Sequence, residues 1–227
     1  MGIIVNFIVS LLYVAPAVLI ALSLHEFAHG LVSYSLGDPT PKANGRLSLN
    51  PFRHMDLWGT LLLLFFGFGW AKPVSVDPRY YENPKTDMVK VALAGPLMNF
   101  VVAFVALFFM ALIEKFNLPV NMVTNYIYTL LYQTAVIDIG LGLFNLIPIP
   151  PLDGSKVLFS LLPERYYFSY MRFEQFGMIF LLVLISVGAL DGFLVTARSS
   201  VLGGMVQIVN RLLGMAWSDF WTEQFWK

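Results

Sequence analysis

IIVNFIVSLLYVAPAVLIALSLHEFAHGLVSYSL, residues 3–36, is an apolar run interrupted only by Pro16, and His25, Glu26 and His29 are its only acidic, basic or imidazole side chains. At about 1.5 Å per residue a helix over this run exceeds a hydrocarbon core of ~30 Å, so it reads as a membrane span whose last turns tilt or emerge. Gly37-Asp38-Pro39 ends it. On a helix, positions i and i+4 lie about 40° apart on one face, so both imidazoles reach towards one metal ion, with the Glu26 carboxylate beside it. The chain has 3 histidines, and two of them occupy this spacing. The alternative is a pair of interfacial histidines packed against their neighbours.

Working outward, the composition agrees with a membrane. Of 227 residues 58% are hydrophobic and 12% charged, with a mean hydropathy of +0.71, far too apolar for an ordinary soluble domain. A net charge of zero without a basic block argues against nucleic acid as a partner. With no Cys, a metal must be held by His, Asp or Glu, which suits zinc and leaves other divalent ions open. No basic region precedes the first apolar run, and cleavage after it would remove the helix carrying His25, so it reads as a retained span rather than a signal peptide.

The pattern predicts an all-α membrane protein, a polytopic helix bundle of about 4–6 transmembrane or half-membrane segments. Residues 57–76 are apolar but carry Gly59, Gly67, Gly69 and Pro73, too many breakers for a spanning helix. A re-entrant hairpin near the active site fits, since irregular backbone at membrane depth must be buried in protein or line a wet cavity. Spans are expected over residues 87–113 and 125–147, the latter stopped by Pro148, Pro150 and Pro151. A fourth apolar stretch covers 176–195. A weaker one over 201–217 reads as a span, a half-helix or an interfacial helix near Trp217, Trp221 and Trp226. The whole chain, 1–227, is expected to form a single membrane-embedded domain with a core of 3–162 and C-terminal helices within 171–217.

Charge orients the bundle. If the spans alternate, Lys42, Arg46, Arg53, Lys72, Arg79, Lys85, Lys156, Arg165 and Arg172 share one face, and the opposite loop holds Lys115 alone. The positive-inside rule assigns the crowded face to the cytoplasm. His25 and Asp153, the latter just after the third span, then meet at that face.

A catalytic zinc takes three protein ligands and keeps one open position. His25 and His29 supply two. Asp153 is the expected third, because the proline turn aims it back at the first helix and Gly154 permits a tight approach. On its own, an Asp before Gly reads equally as a turn or N-cap residue opening the next helix. His25-Glu26-Phe27-Ala28-His29 matches the His-Glu-x-x-His pattern of metal-dependent peptidases.

Three signatures taken together, this pentapeptide, Gly95-Pro96-Leu97-Met98-Asn99, and Asn145-Leu146-Ile147-Pro148-Ile149-Pro150-Pro151-Leu152-Asp153-Gly154, resemble those of the site-2 protease family of intramembrane zinc metalloproteases. The resemblance covers about residues 20–160. Residues 69–74 and the loop from Asn50 to Gly59 are similar to its compact branch, which lacks PDZ and CBS domains. It implies one Zn2+ held by His25, His29 and Asp153, Glu26 as general base, and Asn99 near the site, steadying the scissile carbonyl or the substrate backbone. It also implies a transmembrane peptide or membrane-protein substrate in a bacterial or archaeal cell membrane. Oligomeric state stays open.

Other residues are candidates for lesser roles. His54 reads either as a further metal or outer-shell contact, or as a loop residue partnered by Asp56. Trp70 and Lys72 lie in the hairpin, which serves either as an edge for an extended substrate or as a plug. Asp138 lies seven residues before Asn145 on about the same helix face, either hydrogen-bonding towards the site or satisfied by a local neighbour. Asp191 reads as an interfacial residue near the end of the fourth stretch. A zinc transporter would need more acidic or His residues along its spans, and a catalytically dead relative would not need Glu26.

Overall fold

The first helix runs unbroken from Gly2 to Ser35 (α1), passing through Pro16. In the computed structural model, residues 2–66, 69–119, 121–161 and 176–215 are described. After α1 come a short helix Thr40–Ala43 (α2), then α3 (Leu57–Phe66), α4 (Pro84–Lys115), α5 (Met122–Asn145) and α6 (Asp153–Ser160). A short apolar helix Phe176–Ser186 (α7) precedes α8 (Asp191–Leu213). Among the described residues there is no strand, and four helices, α1, α4, α5 and α8, are long and apolar enough to cross a membrane. An all-α polytopic bundle is therefore what the chain forms.

Helix boundaries follow local chemistry. Proline at the first position opens α4, where its missing N–H costs nothing. The α5 helix starts three residues earlier than expected because Asn121 and Thr124 make a capping box: Asn121 Oδ1 accepts from the Val123 and Thr124 amides, and the Asn121 amide donates to Thr124 Oγ1. The C-terminal apolar region divides differently from the expected 176–195 and 201–217. Gly188 adopts a left-handed φ of 67° and breaks the fourth stretch after Ser186, so the span is 191–213 instead. Asp191 consequently sits in the first turn of α8, where a carboxylate complements the helix dipole. The anticipated interfacial tryptophans 217, 221 and 226 lie outside the described residues.

Packing centres on α4, which touches α1, α5, α6 and α8. Ala103, Ala106, Leu107, Met110 and Ala111 meet Ala135 and Ile139 of α5 and Leu202, Val206 and Val209 of α8 in a buried core. Small residues let the helices close up: a Cβ on Gly142 of α5 would meet the Pro96 carbonyl of α4 at 3.2 Å. Lys115 Nζ donates to the Leu213 carbonyl, so α8 ends beside the α4–α5 connection. The opposite side holds the end of α1, the 36–83 connection, the end of α5 and the start of α6.

A polar knot secures that side. Buried Asp38 accepts from Ser33 Oγ, the Thr40 amide and the Asp77 amide, while Ser33 Oγ also pairs with the Tyr81 hydroxyl. It clamps the end of α1 to the segment leading into α4. Within the 36–83 connection, α3 rises and the chain turns back, so that Gly59 in its first turn lies against Trp70. Of the expected re-entrant hairpin, the described residues show helix α3 and a return segment, residues 69–77, without regular secondary structure.

Candidate metal centre

Gly95 makes room for the site. It sits on the face of α4 that meets α1, and a Cβ there would come within 2.6 and 2.7 Å of His25 ring atoms and closer still to His29 Nε2. Glycine is required by space, since its φ is not left-handed. Into that recess α1 projects both imidazoles, packed edge to face with centroids 4.6 Å apart. His25, His29 and Asp153 are 5%, 7% and 7% exposed, so the three side chains are buried together.

Each imidazole is fixed from behind. His29 Nδ1 donates to the Val91 carbonyl at 2.7 Å, and His25 Nδ1 donates to Asn99 Oδ1 at 2.7 Å. The orientation of the Asn99 amide is set by its other end, where Nδ2 donates to the Ala21 carbonyl at 3.2 Å and to Asp138 Oδ1 at 2.7 Å. With both Nδ1 atoms donating, each neutral ring presents an unprotonated Nε2 forward. Asp153 opens α6 without capping it, the N-cap being Leu152. Its Oδ2 lies 3.2 Å from His25 Nε2 and 3.1 Å from His29 Nε2, and the two nitrogens are 3.0 Å apart. Gly154 allows this turn, because a Cβ there would press on the Leu146 and Ile147 carbonyls, the latter at 2.7 Å.

Three electron-rich atoms converging at 3.0–3.2 Å repel one another unless a proton or a metal cation lies among them. Tetrahedral zinc, with bonds of ~2.0–2.1 Å, separates its ligand atoms by roughly 3.3 Å. The donor set and its edges therefore fit zinc. Among the described residues this is the one group of three such side chains whose ligand atoms lie within 4.8 Å of one another.

The remaining candidates divide clearly. Glu26, half-buried, accepts from the Val74 amide at 2.8 Å through Oε2, so the return limb of the hairpin reaches the site. Asn99 is fully buried and all its bonds go to His25, Ala21 and Asp138, which puts it behind His25. Asp138, also fully buried, joins the site through Asn99, and its Oδ2 has no partner among the described residues. Asn145 donates to Leu141 within its own helix and makes no bond to the three donors. His54 does not approach them: its Nε2 donates to the Ser48 carbonyl at 2.7 Å, and Asp56, its anticipated partner, instead caps α3 at the Gly59 amide. Lys72 and Trp70 are exposed, and the Lys72 amide donates to the His54 carbonyl. The Asn99–Asp138 link was open in the sequence, since it depends on the register of α4 against α5. The Val74–Glu26 bond carried no sequence signal, because its donor is backbone.

A His-Glu-x-x-His helix in a membrane bundle, closed by an aspartate from another element, is the design of a membrane metalloprotease. The chain belongs to Peptidase family M50, whose family model matches residues 13–188. Relatives agree in kind. A Bacillus subtilis (strain 168) protein named "Putative zinc metalloprotease YwhC" is 35% identical over 76% of this chain and 79% of its own length. "Putative zinc metalloprotease Rip2" of Mycobacterium tuberculosis (H37Rv) is 30% identical over 77% and 67%. "Zinc metalloprotease MJ0392" of Methanocaldococcus jannaschii is 34% identical over 37% of this chain and 22% of its own. No solved structure matches the chain. The resemblance to site-2 proteases is thereby supported: the protein is an integral membrane zinc-dependent peptidase.

Proposed function

We propose that this protein hydrolyses a peptide bond within or near the transmembrane segment of a membrane-protein substrate, with Glu26 as general base. The observation that carries the reading is the position of Glu26, one residue from His25 and with its carboxylate oriented by the Val74 N–H. His25, His29 and Asp153 are the residues that would hold zinc. When bound, zinc supplies a Lewis acid that polarises a carbonyl and brings the pKa of a water towards ~7. Glu26 takes a proton from the attacking water and passes it to the amine that leaves. Holding Oε2 at Val74 leaves Oε1 for that proton.

A transmembrane helix must unwind before its amide is reached. The return limb offers an edge for it. In extended chain, alternate residues face one way; the Lys72 and Val74 amides point inward to His54 and Glu26. Residues 71, 73 and 75 then present their backbone outward, and Pro73, lacking an N–H, sits where an edge tolerates it. An extended substrate added there would lie beside Glu26. Crosslinking from Trp70 or Lys72 to bound substrate tests this placement, and absence of a crosslink at both positions removes it.

The chain is read as one protease domain in a bacterial or archaeal membrane, with the site opening towards the cytoplasm. Support comes from the cations gathered on the side holding residues 36–83. The helix carrying His25 ends ten residues later at Ser35, so the site lies about 15 Å along α1 from that end. Proteolysis of a transmembrane substrate in detergent, comparing wild type, Glu26→Gln and chelated protein, decides the mechanism. Equal rates for Glu26→Gln and wild type would refute it.

A further inference from the structure

Beside the site, but outside it, the connection between α1 and α4 forms a groove of about 490 Å3 lined by Arg46, Arg53 and Lys72 together with Asn44, Phe52 and Ser75. We propose that this groove binds the phosphate of an anionic membrane lipid, such as a phosphatidylglycerol headgroup. The proposal goes beyond the protease reading and does not depend on it.

No acidic residue lines the groove. On this side of the bundle the carboxylates of Asp38, Asp56, Asp77 and Asp87 are occupied elsewhere, and exposed Glu82 does not line the groove. Asp38 serves the polar knot, Asp56 caps α3, Asp77 pairs with Arg79 and Asp87 with Lys90. Among the described residues, none of the three groove cations is ion-paired. Three unneutralised cations around one cavity are an anion site, and guanidinium forks match phosphate geometry.

The groove's arginines are preorganised. Arg53 Nη1 donates to the Gly45 carbonyl at 3.1 Å, and Arg46 Nη1 donates to the Arg53 carbonyl. Each guanidinium is thus tethered at one corner, with further N–H groups left for a ligand. Gly45 has a φ of 65°, a left-handed conformation that suits glycine, and it turns its carbonyl towards Arg53 Nη1. Cations held in place before binding lose less rotamer freedom when the anion arrives.

The surroundings of the groove suit a lipid. Leu49, Phe52, Leu57 and Trp58 are 66%, 75%, 66% and 70% exposed and flank the groove in sequence, directly ahead of and within the start of apolar α3. Large apolar and aromatic side chains exposed beside arginines are what a protein presents at headgroup level, acyl chains meeting the former and phosphates the latter. The anion also has a structural use. Lys72 lies on the hairpin's return limb, two residues before Val74, whereas Arg46 and Arg53 belong to the preceding loop. A phosphate bridging them ties the limb that contacts Glu26 to that loop.

The test uses the full-length zinc-loaded protein. Lipid retained after detergent extraction is counted by native mass spectrometry, and thermal unfolding is followed in nanodiscs of phosphatidylcholine with and without 30% phosphatidylglycerol. Wild type should retain phosphatidylglycerol at least ten-fold over phosphatidylcholine and melt higher in its presence. Arg53→Gln/Lys72→Gln should lower that preference to two-fold or less, as should Lys72→Gln alone in part, should the double variant fold poorly. Lys42→Gln, exposed on the same side but outside the groove, should leave the preference unchanged. Equal retention of the two lipids by wild type overturns the proposal, and so does an equal loss in Lys42→Gln. Stabilisation by millimolar inorganic phosphate matching that by phosphatidylglycerol would assign the groove to a soluble phosphate and overturn the lipid.

Discussion

Asn99 of α4 donates from Nδ2 to Asp138 Oδ1 of α5 at 2.7 Å, deep in the bundle, and the same amide's Oδ1 receives the Nδ1 proton of His25. A carboxylate on one helix thereby sets the amide orientation on a second, which sets the imidazole tautomer on a third. Outer-shell partners of this type change metal affinity by ~10–100-fold when lost. Asn99→Ala should accordingly weaken zinc binding by about that factor, measured by competition with a chromogenic chelator. Asn99→Asp, which keeps an acceptor for His25 and loses the donor to Asp138, should fall between. Unchanged zinc affinity in Asn99→Ala would show that the chain of bonds does not position His25.

Gly95 tests the recess itself. Its hypothetical Cβ intrudes on both imidazoles, and neither ring can retreat, because Val91 and Asn99 hold the opposite nitrogens. Gly95→Ala should lower bound zinc at least ten-fold under buffered metal and abolish proteolysis. Gly140→Ala, on α5 with nothing within 4 Å of its Cβ, should keep both.

The contrast between these helices and other parts of the chain explains what the sequence made legible. His25, His29 and Asp153 were readable because i, i+4 spacing and a proline-bounded turn are local geometry, and four apolar helices are readable from hydropathy. The boundary at Gly188 was not, since a single left-handed glycine inside an apolar run leaves the average hydropathy unchanged. Of the two readings of His54, the local loop residue fits, but its partner is the Ser48 carbonyl rather than Asp56, and no motif marks a carbonyl. Asn99 was expected to steady the scissile carbonyl or the substrate backbone, whereas its bonds all run inward, a matter of helix register that a single sequence does not encode visibly.

Val74 acts on the site through its backbone alone. Its N–H holds Glu26 Oε2 at 2.8 Å, a charge-assisted bond of the kind worth ~1.5–3 kcal/mol. Val74→Pro deletes the donor in a segment that lies outside any helix and already carries a proline at position 73. Zinc content should stay as in wild type while kcat falls about ten-fold or more, because the carboxylate loses its fixed orientation. A Val74→Pro protein with wild-type kcat would remove the bond from the mechanism.

The polar knot at Asp38 predicts acid sensitivity with a defined sign. Burial pushes this carboxyl up, but hydrogen bonds from Thr40, the Asp77 amide and Ser33 outweigh it, so its pKa lies below the ordinary value of 3.8. A carboxyl whose pKa is lowered by folding stabilises the native state fully above its unfolded pKa, and that contribution fades as pH falls through the folded value. The neighbouring groups are the Tyr81 hydroxyl, which burial raises further from neutrality, and Asp77, which Arg79 neutralises. The melting temperature in detergent should therefore hold from pH 7 to about 5 and drop below about 4. Asp38→Asn should start from a lower melting temperature at pH 7 and lose less of it on acidification. An equally steep acid limb in Asp38→Asn would place the acid-sensitive group elsewhere in the chain.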